Sequence, residues 1–234
     1  MDYQIIVTLG EPELREINNF NTEDIDVFEI RLDLCSKDFL KNEIISILKN
    51  LAKPILFTYR SREDSSEKEF SELIWMDIKH IIEEFNSSNN FLDIDMKSGL
   101  GNKEIVSNDS IFKDLHNKSY QTIYSLHNFK GSFTEEEFIR SINNFPENQS
   151  NSIYKFAVLP KSGDEALDFL KLGLKYSKQY RLILIVMGEF GIFSRLFGDQ
   201  FGSSFTYACI SNPRAPGQIQ ASKIREIRTL AGFK

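Results

Sequence analysis

The sequence predicts an α/β fold, a (β/α)8 barrel forming a single domain over residues 1–234. Three observations predict it. Eight short β-rich runs start at residues 3, 27, 54, 90, 121, 152, 181 and 204, between 23 and 36 residues apart. Segments with helical spacing lie between them, and strand alternating with helix at this interval means parallel β-α units. The chain's 234 residues are close to the roughly 250 that such barrels use. The competing arrangement, an open doubly wound sheet, would want a glycine-rich phosphate turn after the first strand. Leu9-Gly10-Glu11-Pro12 stands there instead.

Each element has its own signal. The strands are read over residues 3–9, 27–33, 54–60, 90–96, 121–128, 152–159, 181–187 and 204–210, all rich in β-branched and aromatic residues. Glu11 to Phe20 reads as a short helix. Ser36 can cap a helix over Lys37 to Leu51, where Leu40, Ile44, Ile45, Leu48 and Leu51 make one apolar stripe. Ser66 to Phe85 repeats that pattern. Thr134 with Glu137 is a capping box ahead of Phe138 and Ile142. Ser162 to Tyr180 and Ile219 to Leu230 are amphipathic, and residues 101–119 form the weakest helical segment.

Composition narrows the function classes. Hydrophobic residues make up 41% and charged residues 26%, which excludes wholesale disorder, collagen and coiled coil. No apolar run approaches the ~20 residues of a membrane span. The N-terminus carries no basic region ahead of an apolar stretch, so the expected location is the cytoplasm. A net charge of −6 argues against non-specific nucleic-acid binding but not against an anionic small substrate, because local arginines override the global sign. Cys35 and Cys209 make no disulfide framework, and no His/Cys pair has metal-ligand spacing, so no metal is expected.

Barrel active sites lie at the carboxyl ends of the strands. The charged residues there are Glu29, Arg31 and Asp33 on strand two, read as facing one way, and Arg60 at the end of strand three. Asp93 and Asp95 follow on strand four, His127 on strand five, Lys155 on strand six, and Arg195 after strand seven. A rim position is the commoner place for a charge in a strand, but barrel strands are covered on both faces, so interior charges are paired or functional. Lys155 sits in an otherwise apolar strand, Ile153 to Val158. Loss of solvation lowers an amine's pKa, and a neutral amine can attack a ketone or aldehyde to form an imine. His127 on the adjacent strand suits acid–base work near neutral pH. His80 and His116 receive no role.

The motifs Glu29-Ile30-Arg31-Leu32-Asp33, Phe57-Thr58-Tyr59-Arg60, Ser125 to Phe129, Lys155 to Val158, Met187 to Arg195, Phe201-Gly202-Ser203 and Ala215-Pro216-Gly217-Gln218 stand in order along the chain. Together they resemble type I 3-dehydroquinate dehydratase. The resemblance implies a hydro-lyase without metal or cofactor, converting 3-dehydroquinate to 3-dehydroshikimate in the shikimate pathway, and commonly a homodimer. It implies that Lys155 forms the imine, His127 moves the protons and Glu29 sits close to both. It further implies that Arg31 and Arg60 bind substrate oxygens and steady the acidic residues. Arg195 would hold the carboxylate, and Gln218 would come from a closing loop.

Two departures stand out. The family's Arg-x-x-x-Glu-Gly-Gly becomes Arg60-Ser61-Arg62-Glu63-Asp64-Ser65-Ser66, with Asp64 at the acidic position and Glu63 its rival. Arg214 replaces the serine usual before Ala-Pro-Gly-Gln and adds a cation that an anionic ligand could recruit. Residues 211–218 are expected to be mobile without ligand and ordered with it. A class I aldolase and a ligand-binding paralogue without turnover are the competing readings.

Overall fold

The computed structural model describes residues 3–60, 72–96, 119–145 and 152–233. The eight strands are β1 (Gln4–Leu9), β2 (Val27–Arg31), β3 (Ile55–Thr58), β4 (Phe91–Asp95), β5 (Gln121–Asn128), β6 (Ser152–Val158), β7 (Leu182–Val186) and β8 (Phe205–Ala208). All pair in parallel, in the order β7-β6-β5-β4-β3-β2-β1-β8, and a bridge from Leu182 to Ser203 closes the ring. The expected barrel is the observed one.

The helices are α1 (Glu11–Arg15), α2 (Lys37–Asn42), α3 (Ile44–Leu48), α4 (Glu72–Glu84), α5 (Glu135–Asn144), α6 (Gly163–Tyr176), α7 (Ile192–Phe197) and α8 (Ala221–Leu230). The expected caps form. Ser36 Oγ accepts from the Phe39 amide at 3.3 Å, and Thr134 and Glu137 bond reciprocally. The helix expected over 37–51 breaks at Glu43, whose carboxylate is drawn to Arg15. The buried stripe Leu40, Ile44 and Leu48 survives the break. Strand two also ends sooner than expected. Asp33 lies in a single 3-10 turn, Leu32–Leu34, and not in line with Glu29 and Arg31. The short helix α7 was not expected. The segment 101–118 lies outside the described residues.

Side chains alternate across a strand, so every second residue enters the barrel. Ile6, Val27, Leu56, Phe91, Ile123, Ile153, Ile183 and Phe205, one from each strand, pack together as the apolar floor. Two residues further along each strand comes the next tier: Thr8, Glu29, Thr58, Asp93, Ser125, Lys155, Ile185 and Tyr207. Seven of those eight are polar. A second, larger apolar cluster lies between the outer faces of the strands and the helices, with Phe39, Phe138, Phe156 and Phe169 among its buried members. Seven of the eight strands therefore pass from apolar floor to a polar residue within two positions, β7 with Ile185 being the exception, and the fold delivers polar groups to one end of a packed core.

Candidate active site

The polar tier is knitted by hydrogen bonds between neighbouring strands. Glu29 is buried between two threonines, accepting from Thr8 Oγ1 at 2.6 Å and Thr58 Oγ1 at 2.9 Å. Asp93, also buried, accepts from Ser125 Oγ at 2.7 Å, Arg60 at 3.0 Å and Lys155 Nζ at 3.2 Å. Arg60 reaches Ser125 Oγ as well, at 2.7 Å, and stands 3.6 Å from Asp95. Lys155 Nζ has a second partner, Tyr207 Oη at 2.9 Å, and stands 4.1 Å from the centre of the Tyr207 ring. Arg31 forms a two-pronged pair with Asp33 at 2.9 and 2.7 Å, and Asp33 also accepts the Arg60 amide.

Burial and these charges set the protonation states. Burial would raise the Asp93 carboxyl, but Arg60, Lys155 and the Ser125 hydroxyl outweigh it and hold the group at about 2. Burial lowers the Lys155 amine from its ordinary value, with Arg60 adding to the effect and Asp93 and Glu29 opposing it. His127 is pushed well below its ordinary value, first by burial and then by the positive charges of Arg60 and Lys155. Asp93 and Asp95 pull the other way. A neutral imidazole at neutral pH is a proton acceptor. Its ring lies nearly parallel to Phe129, 6.0 Å away.

Arg195 is delivered by α7, which is seated tightly against the end of β7. Ser194 Oγ donates to the Gly191 carbonyl at 2.9 Å and accepts from the Val186 amide at 3.0 Å. A Cβ on Gly191 would come within 2.3 Å of the Val186 carbonyl oxygen, so only glycine permits this approach. Arg195 is fully buried. It donates to the Tyr207 carbonyl at 2.9 Å and the Pro216 carbonyl at 3.0 Å, and its Nε has no partner among the described residues. Burial lowers its pKa to about 10, which leaves it charged at neutral pH.

The loop over residues 211–218 is tied down on several sides. Gln218 Oε1 accepts the amides of Arg214 at 2.6 Å and Ala215 at 3.1 Å. The Gly188 amide donates to Pro216. Gly217 has φ +77°, and a Cβ there would meet the Gly188 carbonyl oxygen at 2.7 Å. Arg214 Nη2 reaches both carboxylate oxygens of Glu13, at 2.5 and 2.6 Å.

These groups surround a cavity of about 150 Å³ at the carboxyl mouth of the barrel, lined by Glu29, Arg31, Arg60, His127, Lys155, Arg195, Arg214 and Gln218 among others. A void of that size accommodates a six-membered ring. Every site residue expected from the sequence lines it except Asp64, which lies outside the described residues together with Glu63. His80 lies exposed on α4, and His116 is outside the described residues. The sequence reading assigned no role to Thr8, Thr58, Ser125, Asp93 or Tyr207. The signal was available in the same two-residue alternation that placed Glu29 and Lys155 inside. No group of three or more His, Cys, Asp or Glu side chains suited to a metal occurs among the described residues.

A converging set of charged side chains at the carboxyl mouth places this chain among the (β/α)8-barrel enzymes. It belongs to the type I 3-dehydroquinase family, a family of hydro-lyases, whose model matches residues 5–233. The 3-dehydroquinate dehydratase of Clostridium novyi is 30% identical over 226 residues, covering 92% of this chain and 86% of that one. The Escherichia coli 3-dehydroquinate dehydratase is 25% identical, covering 97% of this chain and 92% of that one. The crystal structure of the Geobacillus kaustophilus 3-dehydroquinate dehydratase superposes with a TM-score of 0.78 at 24% identity, covering 99% and 92% of the two chains. Among the described residues no helix is long and apolar enough to cross a membrane.

Proposed function

We propose that this chain dehydrates 3-dehydroquinate to 3-dehydroshikimate, a step of the shikimate pathway, through an imine on Lys155 with His127 moving the protons. The observation that carries the reading is the Lys155 amine, buried, lowered in pKa and facing a ring-sized cavity that it shares with His127 and Arg195.

The chemistry follows from electron flow. The neutral amine attacks the substrate ketone, and loss of water leaves a protonated imine. Abstracting a proton beside a plain ketone is difficult, whereas beside the imine the electron pair has a sink. His127, held neutral by its surroundings, takes that proton and leaves an enamine. The enamine expels the β-hydroxyl, which leaves as water with the proton returned by the imidazolium. Hydrolysis of the conjugated imine frees the enone and restores the amine, so the net change is the loss of one water. Arg195 spends one donor each on Tyr207 and Pro216, and its free Nε with the remaining N–H groups suits a carboxylate. Arg31, paired with Asp33, and Arg60, paired with Asp93, hold the acidic groups in register and present cationic edges to substrate oxygens. Gln218 braces the loop from inside by its Oε1, which leaves its amide nitrogen for substrate hydroxyls.

Mixing the protein with 3-dehydroquinate should produce the ultraviolet absorbance of a conjugated enone. Borohydride added with substrate should inactivate the enzyme and attach one ligand mass to Lys155. Absence of enone would end the reading of the activity, and labelling of another lysine, such as Lys161, would end the assignment of Lys155.

A further inference from the structure

We propose that Tyr207 is a positioning residue for the reaction, its hydroxyl directing the attacking face of the Lys155 amine while its carbonyl holds Arg195. The proposal rests on the imine reading above. Tyr207 stands on β8, and Lys155 on β6, 52 residues earlier. The two meet only because the barrel closes.

The geometry of a tetrahedral nitrogen carries the argument. A neutral amine has three directions beyond its carbon: two N–H bonds and one lone pair. Lys155 Nζ has two protein partners, Asp93 Oδ2 at 3.2 Å and Tyr207 Oη at 2.9 Å. With an N–H given to each, the lone pair takes the third direction, and the Tyr207 ring, its centre 4.1 Å from the nitrogen, packs against the amine. Lys155 lines the cavity where a ketone carbon arrives, so that third direction is the one left for attack. The protonated imine retains a single N–H, and the carboxylate of Asp93 is the stronger acceptor for it. Tyr207 accordingly matters before the imine forms and is released once it has. The hydroxyl stays protonated throughout, since burial and the Glu29 and Asp93 charges push it well above its ordinary value.

The main chain of the same residue adds a second constraint. The Tyr207 carbonyl accepts from Arg195 Nη1 at 2.9 Å. One residue thus fixes both ends of the proposed substrate contact, the nucleophile through its side chain and the carboxylate anchor through its backbone. A phenylalanine would keep the ring and the carbonyl and lose only the hydroxyl.

Tyr207→Phe isolates that hydroxyl. The readout is the rate of borohydride trapping on Lys155 against pH, beside kcat and KM. The groups facing Lys155 are Asp93 on β4, Arg60 after β3, Glu29 on β2 and His127 on β5, and all remain in the variant. The plateau trapping rate and kcat should fall about two- to tenfold, the range for a lost hydrogen bond between neutral groups, while KM stays within about twofold because Arg195 is untouched. An ammonium loses more than an amine when an acceptor is removed, so the acid limb of the trapping profile should move to lower pH. An unchanged plateau and an unchanged limb would overturn the proposal. Because the wild-type enzyme is trapped in parallel, failure there points to the imine reading and not to Tyr207. Should the variant not fold, wild-type protein with 13C at the tyrosine ring carbon bearing oxygen gives the answer. Tyr207 is the one tyrosine among the described residues lining the cavity, so one tyrosine resonance should shift when Lys155 is reductively trapped. If none shifts, the hydroxyl does not sense that nitrogen and the proposal is wrong.

Discussion

Asp93→Asn removes one negative charge from the centre of the polar tier while keeping the side chain's shape. In the native protein this buried carboxylate faces two cations, Arg60 at 3.0 Å and Lys155 at 3.2 Å, and takes a hydroxyl hydrogen bond from Ser125 at 2.7 Å. Its carboxyl is held at about 2 against an ordinary 3.8. At 1.36 kcal/mol per pH unit that gap is worth roughly 2–3 kcal/mol of stability. The sign is that of a depressed acid: the contribution is present above the unfolded-state value and is lost as pH falls through about 4 towards 2. Breaking a buried ion pair by removing one partner costs about 3–5 kcal/mol. Asp95, 3.6 Å from Arg60, softens the loss towards the lower end. We expect the variant to be about 3 kcal/mol less stable at neutral pH. For a chain of this size that lowers Tm by roughly 6–12 °C, at about 2–4 °C per kcal/mol. Its stability should also depend less on pH between about 4 and 2 than the native protein's does. The Lys155 amine, deprived of a carboxylate that supports its charge, should titrate lower still. Calorimetry across that pH range and trapping rates against pH are the assays. A variant whose Tm lies within about 2 °C of native, with the native acid slope retained, would show that Asp93 does not carry this balance.

Three other substitutions probe separate parts of the site. Arg195→Lys keeps the charge but loses the fork that spans Tyr207 and Pro216; substrate binding should weaken by about 2–5 kcal/mol, read as a raised KM, and an unchanged KM would move the anchor to Arg31 or Arg214. His127→Ala should lower turnover by ~10²–10⁴-fold yet still accumulate covalent imine slowly in mass spectra, and near-native turnover would refute the role of His127. Glu13→Gln removes the carboxylate that holds Arg214; hydrogen exchange over residues 211–218 should quicken without ligand and be restored by a product-like anion, whereas identical protection in both proteins would mean that Arg195 and Gly188 alone secure the loop.

Some of this site is legible in the sequence. Lys155 and Glu29 stand out because a strand covered on both faces exposes any charge inside it as an exception, and two-residue alternation tells which face that charge takes. The same alternation, counted up from Ile6, Val27 and Phe205, reaches Thr8, Glu29 and Tyr207. The number of strands and their parallel pairing follow from spacing alone. What the sequence could not supply is the pairing of groups across the ring. Tyr207 meets Lys155, and Arg214 meets Glu13 from 201 residues away, only through the register of closed strands and the docking of loops above them. The extent of β2 was also decided in three dimensions, where Asp33 leaves the strand to grip Arg31 and the Arg60 amide. Arg195 depends on a six-residue helix too short to carry a periodic signal, held by a glycine pressed against β7. Local patterning determines which residues enter the barrel, because burial is a property of each strand. Which of them touch, and hence which protons and charges they share, is a property of the closed ring.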